Sequence, residues 1–217
     1  MPNEAGRAYG LTTLCPIRHG SHEKRSFASI TRQVLQDQPI DDLAASPMAK
    51  VPNTYLCRFF VLSNVTYQGK PAILEGLKSQ YLVFIAELHG DRDQYLKSMW
   101  NNACDFVKEA WKYCVDFESV DSADGFAKYI ARCQVETTFY FNGSTDDPLA
   151  EQLKALYLKQ EFSRFAFESA SKSEEDLQRD FKAFVARTKP TELAAPTWRP
   201  GAVDLSNVVV QESEIKS

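Results

Sequence analysis

The stretch YLVFIAELHGDRDQYL, residues 81–96, joins a strand pattern to a helix pattern. Its first half is apolar and rich in aliphatic and aromatic residues, which predicts a buried strand over Gln80 to Leu88. Gly90 then breaks the strand. Asp91 is a residue type that caps helix N-termini, and Gln94 follows three residues later, as in a capping box. The stretch therefore predicts a strand that is followed at once by a helix.

The preceding apolar stretch, TYLCRFFVLSNV at residues 54–65, predicts a second strand that pairs with the first as a hairpin. Alternate side chains of a strand point to opposite faces of the sheet. One face of this strand carries Tyr55, Cys57, Phe59 and Val61, and the other carries Leu56, Arg58, Phe60 and Leu62. Because both faces are largely apolar, we expect both to be covered.

Further elements surround this hairpin. The pattern predicts a strand over residues 9–17, a helix from Phe27 capped by Ser26, helices over about residues 91–114 and 122–133, a fourth strand over residues 135–143, and helices over residues 147–169 and 172–188. This order predicts an α+β fold, a ferredoxin-like antiparallel sheet (βαββαβ, order 4-1-3-2) with an inserted helix and C-terminal helices. Helices cover one face of such a sheet, so we expect a second copy of the sheet to cover the other.

The domain boundaries follow from the same pattern. Residues 1–188 are predicted to form a single ferredoxin-like α+β domain with a C-terminal helical extension. Residues 189–217 contain several prolines and weak periodicity, which predicts an extended tail or arm.

Composition excludes several classes of function. The chain has 217 residues, of which 44% are hydrophobic and 25% charged, the ordinary balance of a soluble globular protein. A net charge of −4 argues against nucleic acid as a partner, since phosphate binding needs clustered Lys and Arg. The longest apolar runs are strand-sized, which argues against a membrane span, and the N-terminus lacks the apolar segment of a signal peptide. We therefore expect a cytoplasmic protein.

The cysteines fit a reducing compartment. They are odd in number and widely spaced, no C-x-x-C occurs, and four of them lie in apolar patterns. Such cysteines usually act as small hydrophobic residues, so the sequence predicts reduced, structural thiols. The cysteines are Cys15, Cys57, Cys104, Cys114 and Cys133.

Three segments carry a resemblance to known proteins: SPMAKVPNTYLCRFFVLSN, YLVFIAELHGDRDQYL and RCQVETTFYFNG. They resemble an uncharacterised bacterial family, and over residues 9–143 the topology resembles the dimeric α+β barrel superfamily. That superfamily includes dye-decolourising peroxidases, chlorite dismutases and small monooxygenases. The resemblance implies a homodimer and an oxidative activity with haem as cofactor, held by a histidine below the iron. The Gly-x-x-Asp-Gly element of the peroxidases is absent, and SADG at residues 122–125 is only a fragment of it.

Arg58 is the most unusual residue of the predicted sheet. A buried guanidinium is costly unless it is paired. If the hairpin folds about residues 72–73, Arg58 lies opposite Glu87. Two interpretations follow: a structural cross-strand ion pair, or a pocket in which Arg58 holds an anionic ligand through paired hydrogen bonds.

His89 is the strongest histidine candidate, because it ends a strand beside the N-terminus of a helix. Anions favour that location, and the helix field keeps a nearby imidazole neutral, although a solvated turn residue fits the pattern too. The predicted ligand-binding residues are therefore Arg58, Glu87 and His89, with no catalytic residue assigned. His19 and His22 are three apart, but no carboxylate or cysteine nearby completes a set, so no metal site is predicted.

The sequence leaves two functions open. The first is a small-molecule pocket on the open sheet face, which would be oxidative or haem-related if the resemblance holds. The alternative is a non-catalytic dimeric binding or scaffold module whose sheet face is covered by its partner. The pairing of Arg58 distinguishes the two.

Overall fold

The computed structural model describes residues 3–39, 41–42, 45–65, 69–70, 76–143 and 146–188. The chain divides into two compact units, Met1–Asp147 and Pro148–Ser217. The predicted tail, residues 189–217, lies outside the described residues.

The first unit is built on an antiparallel sheet. Its strands are β1 (Glu4–Ala5), β2 (Ala8–Ile17), β5 (Thr54–Leu62) and β6 (Gln80–His89), and β3 (Ser21–His22) and β4 (Arg25–Ser26) form a separate small hairpin. The four strands of the main sheet lie in the order β1-β2-β6-β5. The predicted α+β class is thus confirmed, and so are the three long strands.

Four helices of the first unit follow, and their predicted starts are confirmed at three side-chain caps. They are α1 (Phe27–Gln36), α2 (Arg92–Asn102), α3 (Cys104–Trp111) and α4 (Ala123–Cys133). Oxygens of Ser26, Asp91 and Ser122 accept backbone N–H bonds at 3.2, 2.8 and 3.2 Å respectively, which satisfies donors that each first turn leaves free. Ser122, the first residue of SADG, is therefore a helix cap.

The predicted helix over residues 91–114 is interrupted. Ala103 has φ −134° and ψ 34°, which ends α2 and begins α3. The apolar spacing continues through the break, since Met99, Val107 and Ala110 are all fully buried. The regular spacing of apolar residues in the sequence therefore gave no sign of the helix break at Ala103.

The predicted fourth strand is wrong: residues 135–143 form no strand. The segment touches the edge of β2 only at its start, where the Val135 N–H donates to the Thr12 carbonyl at 2.8 Å. Further along, the Asn3 side chain takes the place of a strand partner. Its Nδ2 donates to the Gly10 carbonyl at 2.9 Å, while its Oδ1 accepts from the Thr137 N–H at 3.3 Å. The position beside the start of β2 belongs to β1.

The core lies between one sheet face and helices α1–α4. Alternate residues of β6, including Leu82, Phe84 and Leu88, are fully buried on this face. Phe84 stacks on Phe59 at 4.7 Å between ring centroids and meets Trp111 edge-on at 5.6 Å. The opposite face, which turns away from these helices, is called the open face below; it carries Gly10, Leu56, Arg58, Phe60, Glu87 and His89.

The described residues of the second unit, 148–188, form two helices, α5 (Leu149–Ser169) and α6 (Glu174–Thr188). Phe165 stacks on Phe184 at 5.2 Å, which joins the two helices. Glu161 is buried and bonds Arg164 at 3.1 Å and Arg187 at 2.9 Å. In the part of the chain that the structure describes, no helix has both the length and the apolar character needed to cross a membrane.

Candidate functional site

The three predicted site residues share the open face, but their register differs from the prediction. Arg58 lies opposite Ile85, and Leu56 lies opposite Glu87. The centre of the hairpin falls one residue earlier than predicted, which moves the pairing by two residues. Arg58 and Glu87 are therefore diagonal neighbours on adjacent strands, within reach of long side chains.

Arg58 is exposed, so the predicted buried ion pair is wrong. Among the described residues, its guanidinium has neither an ion pair nor a hydrogen bond. Its neighbours on the same face of β5 are apolar and open, with Leu56 57% and Phe60 43% exposed. β5 is also the edge strand of the sheet. The result is an unpaired cation between two exposed hydrophobic side chains.

Glu87 lies beneath Tyr140, which was not predicted as a site residue. Glu87 is paired across the sheet with Gly10, and a side chain at Gly10 would begin only 2.8 Å from Cε2 of Tyr140. Glycine is therefore needed there for close approach of the ring. Burial, together with the adjacent Glu87 carboxylate, raises the pKa of Tyr140. The Oε2 atom of Glu87 is buried without a hydrogen-bond partner.

His89 is held by a tyrosine at a β-bulge. The register of β5 against β6 shifts between Thr54 and Leu56, so Tyr55 is an extra residue in the strand. Its hydroxyl lies 2.8 Å from Nδ1 of His89 and donates to the Asp147 carbonyl at 3.1 Å. A hydroxyl that donates its proton to Asp147 accepts from Nδ1–H, which leaves Nε2 of His89 as an acceptor.

The open face thus combines an unpaired guanidinium, a carboxylate with an unsatisfied oxygen, and an oriented imidazole. These groups can bind a surface or molecule that offers an anion near Arg58 and a donor near Glu87. Sequence reasoning missed Tyr55 and Tyr140. Gly10, a glycine inside a strand pattern, was the available signal of a close approach.

The remaining histidines lie far from this site. His19 and His22 follow the other end of β2, about 30 Å from the His89 end at the rise of an extended strand. No group of three or more His, Cys, Asp or Glu residues within the described ranges could hold a metal ion. Asp124 in SADG pairs with Lys97 at 2.7 Å.

Comparison of the chain with protein families, with curated proteins and with solved structures finds no match.

Proposed function

We propose that the protein is a non-catalytic binding module that forms a homodimer through the open face. The observation that carries this proposal is the unpaired, exposed Arg58 between Leu56 and Phe60 on an edge strand. Aromatic residues and arginine are the residue types that are enriched at the buried centres of protein interfaces. A guanidinium in such a patch gains most when a partner supplies an anion.

The patch is complementary to itself. It holds one unpaired cation, Arg58, and one carboxylate with an unsatisfied oxygen, Glu87, at diagonal positions. In a two-fold interface, a contact from one residue to another is always repeated in the reverse direction. Two copies related by such an axis can therefore direct Arg58 of each copy toward Glu87 of the other, with Leu56 and Phe60 packed around the two pairs. Direct contact of the charges requires Tyr140 to move aside, because Tyr140 covers Glu87 in the single chain.

The order of the strands is also compatible with a second copy of the chain as the partner. β2, α1 and β5 form a split βαβ unit with β6 between the strands, which is one half of the predicted ferredoxin-like pattern; residues 135–143 do not supply the fourth strand of that pattern. Helices α1–α4 pack on the other face of the sheet, while Leu56, Arg58 and Phe60 on the β5 side of the open face are exposed within the part of the chain that the structure describes. A dimeric α+β barrel is the assembly that the sequence resemblance implies, and it uses this face.

Light scattering tests the proposal. The protein should have twice the chain mass at micromolar concentration, and Phe60→Glu should reduce the mass to that of one chain. Phe167→Glu is the matched control, because Phe167 is 87% exposed on α5, outside the sheet. A monomer at all accessible concentrations contradicts the proposal. Dissociation by Phe167→Glu but not by Phe60→Glu places the interface on the helices instead.

A small-molecule site on the same face is the second candidate. The buried, unpartnered Oε2 of Glu87 favours it, because such an atom lacks the donor that a ligand could supply. A zwitterion with an acid group toward Arg58 and an amine toward Glu87 matches the two charges. Saturable calorimetric binding of a free α-amino acid by a monomer, abolished by Glu87→Gln, would select this candidate over the dimer.

The haem version of that candidate depends on His89. Its Nδ1 is held by Tyr55, as the second nitrogen of a metal-binding histidine commonly is, so His89 would hold the haem iron through Nε2. Haem chemistry would supply oxidative activity when bound. A Soret band after haem addition that His89→Ala removes would support this version, whereas a band that His89→Ala leaves unchanged would rule out His89 as the ligand.

A further inference from the structure

Three cysteines gather at one edge of β2. Two isolated bridges attach later segments to this edge, one between Thr13 and Gln134 and one between Ile17 and Cys114. Cys15 lies between the two bridge positions. Cys133, the last residue of α4, directly precedes Gln134. Residues that are far apart in the sequence are therefore brought together around Cys15.

Solvent reaches these thiols unequally. Cys15 and Cys114 are fully buried, whereas Cys133 is only partly buried. The indole N–H of Trp111 donates to the Cys15 sulfur at 3.3 Å, which fixes its position in the core. Of the three thiols, Cys133 is therefore the one that a reagent from solvent can reach.

The surroundings also distinguish the thiols chemically. The neighbouring Cys15 thiol lowers the pKa of Cys133 to about 7; burial opposes this, while Tyr129 and Arg132 assist. The neighbouring Cys133, with burial, raises the pKa of Cys15 well above its usual range. Burial raises the pKa of Cys114 to about 12, with Arg18 opposing. Cys133 is therefore the thiol of the cluster that ionises most readily.

We propose that Cys133 is an oxidant-reactive thiol, that hydroperoxides are its co-reactants, and that Cys15 resolves it to an intramolecular disulfide. The Cys133 thiolate attacks a peroxide oxygen, which gives a sulfenic acid and an alkoxide or hydroxide that takes a proton from water. The Cys15 sulfur then displaces the sulfenic hydroxyl, and its own proton leaves with that hydroxyl as water. Two electrons pass from the two thiols to the peroxide.

The properties of the Cys133 site favour this chemistry over a cluster of unreactive structural thiols. Oxidant-sensing cysteines combine thiolate character, access and a neighbouring resolving thiol, and the Cys133 site has all three. The disulfide would tie α4 to β2 beside the bridge at Thr13 and Gln134. This site is distinct from the open face and does not depend on the dimer.

Peptide mapping of the full-length protein tests the proposal. After brief hydrogen peroxide treatment and alkylation of the remaining thiols, we expect a Cys15–Cys133 disulfide, with a mass loss of about 2 Da. Cys104 is the matched control, since it is also partly buried but lies outside the cluster. Cys133 should react about tenfold faster than Cys104 or more. Equal rates, a Cys133–Cys114 bond or a bond between chains would overturn the assignment.

Two further measurements follow, and the second uses the unaltered protein, so it holds even if Cys15 cannot be replaced without loss of folding. In Cys15→Ala, Cys133 should accumulate as a sulfenic acid that dimedone traps, without a disulfide. In the unaltered protein, the alkylation rate of Cys133 should rise with pH about a midpoint near 7. A midpoint at the value of about 8.5 that is usual for a free cysteine would overturn the proposal.

Discussion

Arg58 contributes a charge to the surface and has no partner among the residues that the structure describes, so its removal should not weaken folding. We expect Arg58→Met to change the free energy of unfolding by less than about 0.5 kcal/mol, as for surface substitutions without special contacts. Urea denaturation below the concentration at which the protein associates measures this. Leu82→Ala, at a fully buried position, should cost about 2–5 kcal/mol and shows that the assay is sensitive.

A large loss of stability in Arg58→Met would contradict this expectation. A loss of about 3–5 kcal/mol would mean that Arg58 forms a buried ion pair after all, because that is the usual cost of leaving one charge of such a pair without its partner.

Gly10 permits the contact between Tyr140 and the sheet, so it should not tolerate a side chain. We expect Gly10→Ala to cost about 1–3 kcal/mol, because the new methyl group overlaps the ring. In a Tyr140→Ala background the same change should cost much less, since the overlap is gone. Denaturation of the four proteins of this cycle gives the coupling energy. Equal costs in both backgrounds would show that Tyr140 does not cover Gly10.

At this scale the sequence predicted which face each site residue occupies, because strand parity depends only on local alternation. Arg58, Glu87 and His89 were correctly placed on one face. The register was not predictable, because it depends on the connection between the strands and on the bulge at Tyr55. The contact of Tyr140 with Gly10 joins residues far apart in the sequence, which no local pattern encodes.

The helical pair α5 and α6 is fastened by a buried carboxylate. Glu161 bonds guanidinium groups on both helices, so Glu161→Ala should loosen the pair. We expect faster amide hydrogen exchange over residues 149–188, with exchange in β2 and β6 unchanged. Glu151→Ala is the control, since Glu151 forms only an exposed pair with Lys154 on the same helix. Unchanged exchange over residues 149–188 in Glu161→Ala would contradict this role.

Helix starts were predictable because they depend on interactions between residues that are close in the sequence. The caps at Ser26, Asp91 and Ser122 start helices where the sequence places them, because the capping oxygen and the donor are three residues apart. The fourth strand failed for the opposite reason. Its alternating pattern is typical of a strand, but Asn3 satisfies the backbone groups that a neighbouring strand would need.

At the scale of the molecule, one sheet face supports the core and the other carries exposed apolar and charged groups. The class and the three long strands followed from element order. Element order could not predict what covers the open face. An apolar strand face is equally compatible with a second copy, with a ligand or with another segment of the chain. The exposed Arg58 between the exposed Leu56 and Phe60, without an ion pair among the described residues, is the reason that we propose a second copy.

Mixing two charge-reversed variants tests this account most directly. Arg58→Glu alone and Glu87→Arg alone should each be monomeric, because each places like charges together twice in a two-fold dimer. Mixed in equal amounts, they should form a heterodimer, because both contacts then join opposite charges again. Light scattering of each variant and of the mixture gives the masses. Dimers in either variant alone, or a mixture that stays monomeric, would contradict the proposed interface.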